Sequence, residues 1–235
     1  MVDGLVGSEM CIRDRYTSDM QNNVKFILQT GAHEKRDELK NFLEIVSSVS
    51  DKISFEEKDL SKILRSPVSF TLEVNNELSG IVFSGIPGGH EFNSFILALL
   101  QCGGSDLKLD NSIMDLILNI KEGLKFEVFI SLSCQNCPEV VQALNKFAIL
   151  NKNISNEMID GGFFKETIDE RNIQGVPSVY LNGQLFLNGR VDMVKIVDKL
   201  QQLYPKLSKI NNDTLPLQDV TIIGGGPAGI SAAIY

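Results

Sequence analysis

The residues best placed for chemistry are Cys134 and Cys137, which form a Cys-x-x-Cys motif between a strand-like run at 126–132 and a helical pattern. Pro138 follows, and proline fits the first turn of a helix because no backbone N–H is needed there. The free N–H groups and the dipole at a helix start stabilise a thiolate. We therefore expect a dithiol that cycles to a disulfide, with Cys134 attacking and Cys137 resolving.

The alternative chemistry for this motif is half of a zinc site. Zinc needs about four ligands, and the other candidates are Cys102, His33, His90 and Cys11, with no second Cys-x-x-Cys motif. Redox chemistry is favoured, and no metal site is expected. Cys102 ends an apolar helix before two glycines, which is typical of a buried structural thiol.

Composition bounds the class of protein. The chain has 235 residues, enough for two ordinary domains, with 43% hydrophobic and 22% charged residues. The net charge of −8 argues against nucleic acid or an anionic membrane as a partner. Four cysteines are too few for a disulfide-stapled secreted fold, so the sequence predicts a reducing, cytoplasmic location.

The elements that position the dithiol belong to a repeated pattern. Apolar periodicity predicts strands at 24–28, 52–56, 66–72 and 80–83 and helices at 34–49 and 90–100, followed by a bridging helix at 110–120. The order then repeats, with strands at 126–132, 153–158, 176–181 and 184–187 and helices at 137–150, 164–172 and 191–203. Asn182-Gly183 predicts a tight hairpin.

Landmarks of the two halves also correspond. Ser66-Pro67 opens a predicted strand of the first half, as Val176-Pro177 opens the corresponding strand of the second half. Gly85 precedes the last helix of the first half, as Gly189 precedes the last helix of the second. Residues 31–34 of the first half occupy the place of the Cys-x-x-Cys motif. The first half therefore carries the fold without its thiols.

These residues carry a family resemblance. A Cys-x-x-Cys motif at a strand-to-helix turn, with Val-Pro about forty residues later, resembles the thioredoxin and glutaredoxin fold. The strings SLSCQNCPEVVQALN, MIDGG, ERNIQGVPSVYLNG and GGHEF resemble the N-terminal part of the flavoprotein subunit of alkyl hydroperoxide reductase. The implied fold class is α/β: two tandem thioredoxin-like folds, with mixed central sheets flanked by helices, plus the first strand-turn-helix of a Rossmann-like FAD domain.

The resemblance implies two further site residues. Pro177 would be cis and pack against the disulfide, and Pro67 would be its counterpart; the plain alternative is a proline opening a strand. Glu91 would lie near the dithiol and tune it; the plain alternative is a carboxylate favoured by the dipole of its helix.

The sequence predicts five segments. Residues 1–15 form a non-native leader, because they share no pattern with the rest. Residues 16–105 form the thioredoxin-like unit without Cys-x-x-Cys, and residues 106–203 form the unit with it. Residues 204–218, polar with two prolines, form a linker. Residues 219–235 begin a FAD/NAD-binding domain.

The last segment holds a glycine-rich turn after an apolar strand, made of Gly224, Gly225, Gly226, Pro227, Ala228 and Gly229. By resemblance this turn approaches the pyrophosphate of FAD. Its βαβ unit is incomplete within the sequence, so we expect no FAD bound to these residues and poor packing of 219–235.

The family implies the following function. Electrons pass from NADH through FAD and a second dithiol of the flavoprotein body to Cys134 and Cys137, and then to a peroxiredoxin disulfide. The full-length protein is expected to be a homodimer. One alternative is a stand-alone glutaredoxin- or disulfide-isomerase-like oxidoreductase without flavin. Another is a non-catalytic docking module in which the Cys-x-x-Cys motif is incidental.

Overall fold

The computed structural model describes Thr17 and residues 20–205. The strands are β1 Val24–Gln29, β2 Ile53–Lys58, β3 Ser69–Val74, β4 Glu77–Ser84, β5 Leu124–Ile130, β6 Ile154–Asp160, β7 Ser178–Leu181 and β8 Gln184–Asn188. The helices are α1 Arg36–Ser47, α2 Glu91–Cys102, α3 Asn111–Leu118, α4 Cys137–Leu150, α5 Lys165–Glu170 and α6 Met193–Leu203.

The described strands form one mixed sheet in the order β2-β1-β3-β4-β6-β5-β7-β8. The two halves meet where β4 pairs in parallel with β6, from Ile81 beside Asn156 to Ser84 beside Ile159. The predicted tandem α/β fold is confirmed, but the separate sheets that we expected are joined into one. Each unit alone would leave β4 or β6 as an edge strand, and pairing them satisfies their free backbone groups.

Strand pairing shows that the halves repeat. Val24 in β1 and Leu124 in β5 are equivalent, because each lies opposite the first residue of its parallel neighbour. Ser69 in β3 and Ser178 in β7 are equivalent, because each lies opposite the last residue of the strand that completes its hairpin. These pairs fix a register for comparing the halves.

Both hairpins turn on residues with positive φ. Asn182 (φ 50°) and Gly183 (φ 80°) link β7 to β8 as predicted. In the first half, Asn75 (φ 51°) and Asn76 (φ 68°) make the equivalent turn, which the sequence analysis missed. Asparagine tolerates this conformation better than most residues. As a result β4 begins at Glu77, earlier than the 80–83 strand predicted.

An aromatic core holds α2 against the first half of the sheet. The Phe95 ring lies 5.6–5.9 Å from the rings of Phe26, Phe70 and Phe83, and all four side chains are fully buried. Burying each contributes about 1.5–3 kcal/mol. Because α2 also packs on α4, this core places the starts of the two helices side by side.

No helix in the described part of the chain is long and apolar enough to cross a membrane. The bounds predicted for the two units, 16–105 and 106–203, stay predictions. The predicted leader at 1–15, the segment at 219–235, and all but the first two residues of the predicted linker lie outside the described residues.

Candidate redox site

Cys134 and Cys137 form a disulfide, with Cα atoms 5.5 Å apart. Cys134 lies in the turn after β5, where its N–H donates to the Ser131 carbonyl at 2.9 Å, two residues before the helix N-cap Asn136. Cys137 is the first residue of α4, and Pro138 occupies the first turn. Cys137 is fully buried, whereas Cys134 is only partly buried. This difference supports Cys134 as the sulfur that a partner reaches.

The segment before β7 lies against the disulfide. The Val176–Pro177 peptide bond is cis, as predicted. Cys134 Sγ lies 3.8 Å from the Val176 carbonyl oxygen, which is a contact and not a hydrogen bond, because a disulfide sulfur carries no hydrogen. The buried Pro177 accepts a hydrogen bond from the N–H of Gly189 at 2.9 Å. The hairpin thus holds the proline segment in place beside Cys134.

The first half repeats this hydrogen bond with a different residue. The N–H of Gly85 donates to the carbonyl of Val68 at 2.9 Å, as that of Gly189 donates to Pro177. The predicted equivalence of Gly85 and Gly189 is confirmed. Val68, which immediately precedes β3, is therefore the counterpart of Pro177.

Pro67 is consequently the counterpart of Val176, and its bond to Ser66 is not cis. The prediction that matched Pro67 to Pro177 is wrong by one residue, because strand register is set by pairing partners that a sequence comparison does not show. Gly31 (φ 124°) packs on this proline, since a Cβ there would lie 2.7 Å from Pro67 Cγ. In the first half, therefore, a contact between glycine and proline joins the segment after β1 to the segment before β3.

Glu91 begins α2 and is fully buried. The N–H of the preceding His90 donates to the Leu132 carbonyl at 3.1 Å. A Cβ at Gly89 would lie 2.5 Å from that same oxygen, so only glycine allows this approach. The start of α2, from the first half, is thus docked on the turn that carries Cys134 of the second half.

The electrostatics of Glu91 differ from those of an ordinary helix-terminal carboxylate. Burial raises its pKa from 4.5 to about 7, and the Ser94 hydroxyl only partly opposes that rise. Neither carboxylate oxygen has a hydrogen-bond partner within the described structure. A helix dipole alone would lower the pKa. A buried acid that titrates near neutrality is suited to proton transfer, which supports the tuning role implied by the family.

A buried charged cluster was missed by sequence reasoning. This inter-unit cluster consists of Arg65, Glu127, Glu157 and Arg171. Arg65 bridges Glu157 and Glu127, and Arg171 contacts Glu127 at 2.9 Å. Burial alone would raise the pKa of Glu127, but hydrogen bonds from Arg171 and Arg65 outweigh it and hold that pKa below its usual value. The cluster ties the first half to the second.

A partial signal for this cluster was present in the sequence. Glu127 interrupts the otherwise apolar run at 126–130, and a buried carboxylate is rare unless it is paired. The predicted strand at 153–158, which holds Glu157, is mostly polar and gave no such signal. The partners of these two carboxylates, Arg65 and Arg171, lie outside strands and helices, and no spacing rule links them to the strands.

The remaining thiol in the described part of the chain, Cys102, is inert. Cys102 ends α2 with 3% exposure, and burial raises its pKa to about 12. It therefore stays protonated near neutral pH. Among the described residues, no group of three or more His, Cys, Asp or Glu side chains could hold a metal ion. The predicted cofactor residues, Gly224, Gly225, Gly226, Pro227, Ala228 and Gly229, lie outside the described residues, and their role stays a prediction.

Comparison with known proteins agrees with this geometry. Residues 124–202 match the family model of the thioredoxin domain. The chain is 45% identical over 216 residues to the F subunit of alkyl hydroperoxide reductase of Staphylococcus aureus (strain Mu50 / ATCC 700699), covering 92% of the chain and 41% of that protein. It is 42% identical to a protein named NADH dehydrogenase from Ferdinandcohnia aciditolerans, covering 94% of the chain and 41% of that protein. The chain thus spans about two-fifths of these curated relatives.

Solved structures give the same assignment. A protein disulfide oxidoreductase from Aeropyrum pernix K1 has a TM-score of 0.71 at 17% identity, covering 85% of this chain and 93% of that one; this likeness shows the fold alone. The N-terminal domain of the alkyl hydroperoxide reductase AhpF of Enterococcus faecalis (V583) has a TM-score of 0.72 at 30% identity, covering 81% of this chain and 98% of that one. The chain belongs to the AhpF family of alkyl hydroperoxide reductases and corresponds to the N-terminal, thioredoxin-like domain of that family.

Proposed function

We propose that this chain is the thiol–disulfide relay module of an NADH-dependent flavoprotein that reduces a peroxiredoxin. The observation that carries the proposal is the Cys134–Cys137 disulfide at the start of α4, with the Val176 carbonyl beside Cys134, in a chain of this family. The substrate is the disulfide of the peroxiredoxin. The thiol that meets peroxide belongs to that partner.

The first step uses the more exposed sulfur. In the reduced module, the Cys134 thiolate attacks one sulfur of the partner disulfide, and the partner's other sulfur leaves as a thiolate with the electron pair of the broken bond. A mixed disulfide now joins Cys134 to the partner. The free N–H groups at the start of α4 favour the attacking thiolate.

The second step uses the buried sulfur. The Cys137 thiol gives its proton to the ionised Glu91 carboxylate, and the resulting thiolate attacks Cys134 Sγ. The partner sulfur that was joined to Cys134 leaves as a thiolate with the electron pair of the broken bond, and the Cys134–Cys137 disulfide seen in this structure forms. Two electrons have moved to the partner, and its two thiolates take up protons from Glu91 and from solvent. An internal base is needed because Cys137 is fully buried.

The module is reduced again by the flavoprotein body of the same full-length protein, which we propose is a cytoplasmic homodimer. FAD supplies the two electrons when bound there, and NADH supplies them to FAD. The described residues hold the disulfide at an exposed edge of the domain, where a partly buried Cys134 is open to either reaction partner. This exposure fits a relay that exchanges electrons with two proteins in turn.

The test is direct electron transfer. The chain is reduced with dithiothreitol, freed of reductant and mixed with an oxidised peroxiredoxin, whose free thiols are counted by mass spectrometry. We expect near-stoichiometric transfer, none with Cys134→Ser, and full transfer with Cys102→Ala, which removes the inert thiol. Reduction of glutathione mixed disulfides but not of peroxiredoxin would favour a stand-alone oxidoreductase. Transfer to neither would favour a docking module.

A further inference from the structure

A hydrogen bond joins the two halves one turn away from Glu91. Gln142 Nε2 on α4 donates to Ser94 Oγ on α2 at 3.2 Å. Ser94 is fully buried one turn after Glu91, and Gln142 is partly buried one turn after Pro138. The two side chains thus connect the turn that holds the buried acid to the helix that holds the resolving cysteine.

The chemistry of this bond fixes its direction. An amide nitrogen is only a donor, whereas a hydroxyl both donates and accepts. Because Ser94 Oγ accepts from Gln142, its own hydrogen must be directed elsewhere. Helical serines often donate to a carbonyl in the preceding turn, as Ser47 does to Leu43. Within the described structure, Ser94 makes no such bond, so its hydrogen is available to Glu91.

We propose that Ser94, oriented by Gln142, is the hydrogen-bond donor that stabilises the ionised form of Glu91 and so positions it to take the proton from Cys137. Both residues act through Glu91 and touch no substrate, so they are positioning residues. The proposal rests on the proposed function for the role of Glu91. It extends that role by naming what allows a buried acid to ionise at all.

Besides the N-terminus of its own helix, the Ser94 hydroxyl is the stabilising group that the described part of the chain offers the Glu91 carboxylate. The hydroxyl lowers the pKa of Glu91, and burial raises it by more. From α1, Phe42 packs on the rings of Phe92 and Phe95 of α2 and brings no charge to this helix. The turn that carries Cys134 lies against the start of α2 through the Leu132 carbonyl, and Cys134 is joined to Cys137 as a disulfide. His90 precedes Glu91 and is exposed.

Without Ser94, the relay would have its base in the wrong protonation state near neutral pH. Both carboxylate oxygens are unpartnered among the described residues in this oxidised state, in which no proton has to be removed. During the second step, the ionised carboxylate must exist long enough to accept a proton. The Ser94 hydroxyl is already held in place by Gln142 of the second half. It therefore needs little reorientation to donate to the carboxylate when Glu91 ionises.

The test measures the pH midpoint at which Glu91 ionises. Carboxyl-carbon NMR of the oxidised 235-residue chain is followed against pH, and Glu91→Gln identifies the resonance. We expect Ser94→Ala to move the midpoint upward by about one pH unit or more. Gln142→Leu should move it in the same direction by less, and Ser94→Thr, which keeps the hydroxyl, should restore it. Asn93→Ala removes an exposed polar group from the same turn and is the matched control.

The kinetic counterpart is the rate at which the mixed disulfide resolves. Near pH 7, Ser94→Ala should slow this step about tenfold, with the rate recovered as pH rises past the new midpoint. If Ser94→Ala and Gln142→Leu both leave the midpoint of Glu91 unchanged, the proposal is overturned, because the hydroxyl then serves another acceptor. The titration does not depend on turnover. A shifted midpoint without any reduction of peroxiredoxin would support the role of Ser94 and count against the proposed function.

Discussion

Replacing Glu91 by Gln should stabilise the protein at high pH while impairing the relay. Glutamine is close in size to glutamic acid and mimics its protonated form. The pKa of Glu91 is raised by burial from 4.5 to about 7, so the unfolded chain releases this proton at lower pH than the folded chain does. The wild-type protein should therefore lose stability as pH rises through that window, and the variant should not.

The magnitude follows from the two pKa values. A gap of roughly 2.5 pH units corresponds to about 3 kcal/mol at 1.36 kcal/mol per unit. The sign is that of a raised folded-state pKa: the contribution to stability is fully present below 4.5 and is lost by pH values above about 7. No discount for solvent screening is needed, because Glu91 is fully buried.

Urea unfolding of the oxidised chain at about pH 5 and about pH 8 measures this difference. We expect the two proteins to differ by under about 1 kcal/mol at the lower pH and by about 3 kcal/mol at the higher pH. Glu139→Gln removes an exposed carboxylate from the first turn of α4 and should change little. In the reduced protein, the same Glu91→Gln variant should accumulate mixed disulfide. If Glu91→Gln destabilises the chain at the higher pH, or follows the wild-type pH dependence, Glu91 is a compensated structural carboxylate and the reasoning fails.

Three further outcomes are expected. Cys137→Ser should trap a mixed disulfide through Cys134, whereas Cys134→Ser should abolish reduction; mass spectrometry checks both, and a partner adduct on Cys137 in the second variant would reverse the roles. Arg65→Met should cost about 3 kcal/mol of unfolding free energy, because it leaves the buried Glu157 carboxylate without its arginine, whereas Glu127 keeps Arg171. Lys152→Met removes an exposed pair worth at most about 1 kcal/mol; equal losses in urea would contradict the inter-unit cluster. Because its two arginine partners hold the pKa of Glu127 low, the stability that they provide should be present above pH 4.5 and be lost as pH falls through that lowered pKa; acid unfolding of the Arg65→Met variant should show a weaker pH dependence.

The dithiol and its immediate geometry could be predicted from the sequence because they depend on neighbours in the chain. Pro138 restricts where α4 begins, and the apolar periods on either side define β5 and the helix. The same holds for the Asn182-Gly183 hairpin, whose backbone conformation is a property of two residues. The repeat of elements was visible for the same reason, since each element is encoded locally.

The elements that complete the site depend on contacts between residues far apart in the chain. Glu91 comes from the first half, and the start of its helix lies on the turn that carries Cys134 of the second half only because α2 and α4 pack on one continuous sheet. The family resemblance suggested its role, but its burial and its lack of partners among the described residues appeared only when the helices were in place.

The tertiary structure also decided that Val68, and not Pro67, is the counterpart of Pro177. It likewise decided which side chains form the charged cluster around Arg65. A proline at the start of a strand looks the same whichever residue pairs across from it, and a one-residue shift is visible only in the ladder. A strand glutamate likewise shows that a cation is needed without showing which one. Chain patterning determines what each element is, whereas burial and pairing between distant elements determine which side chains act together.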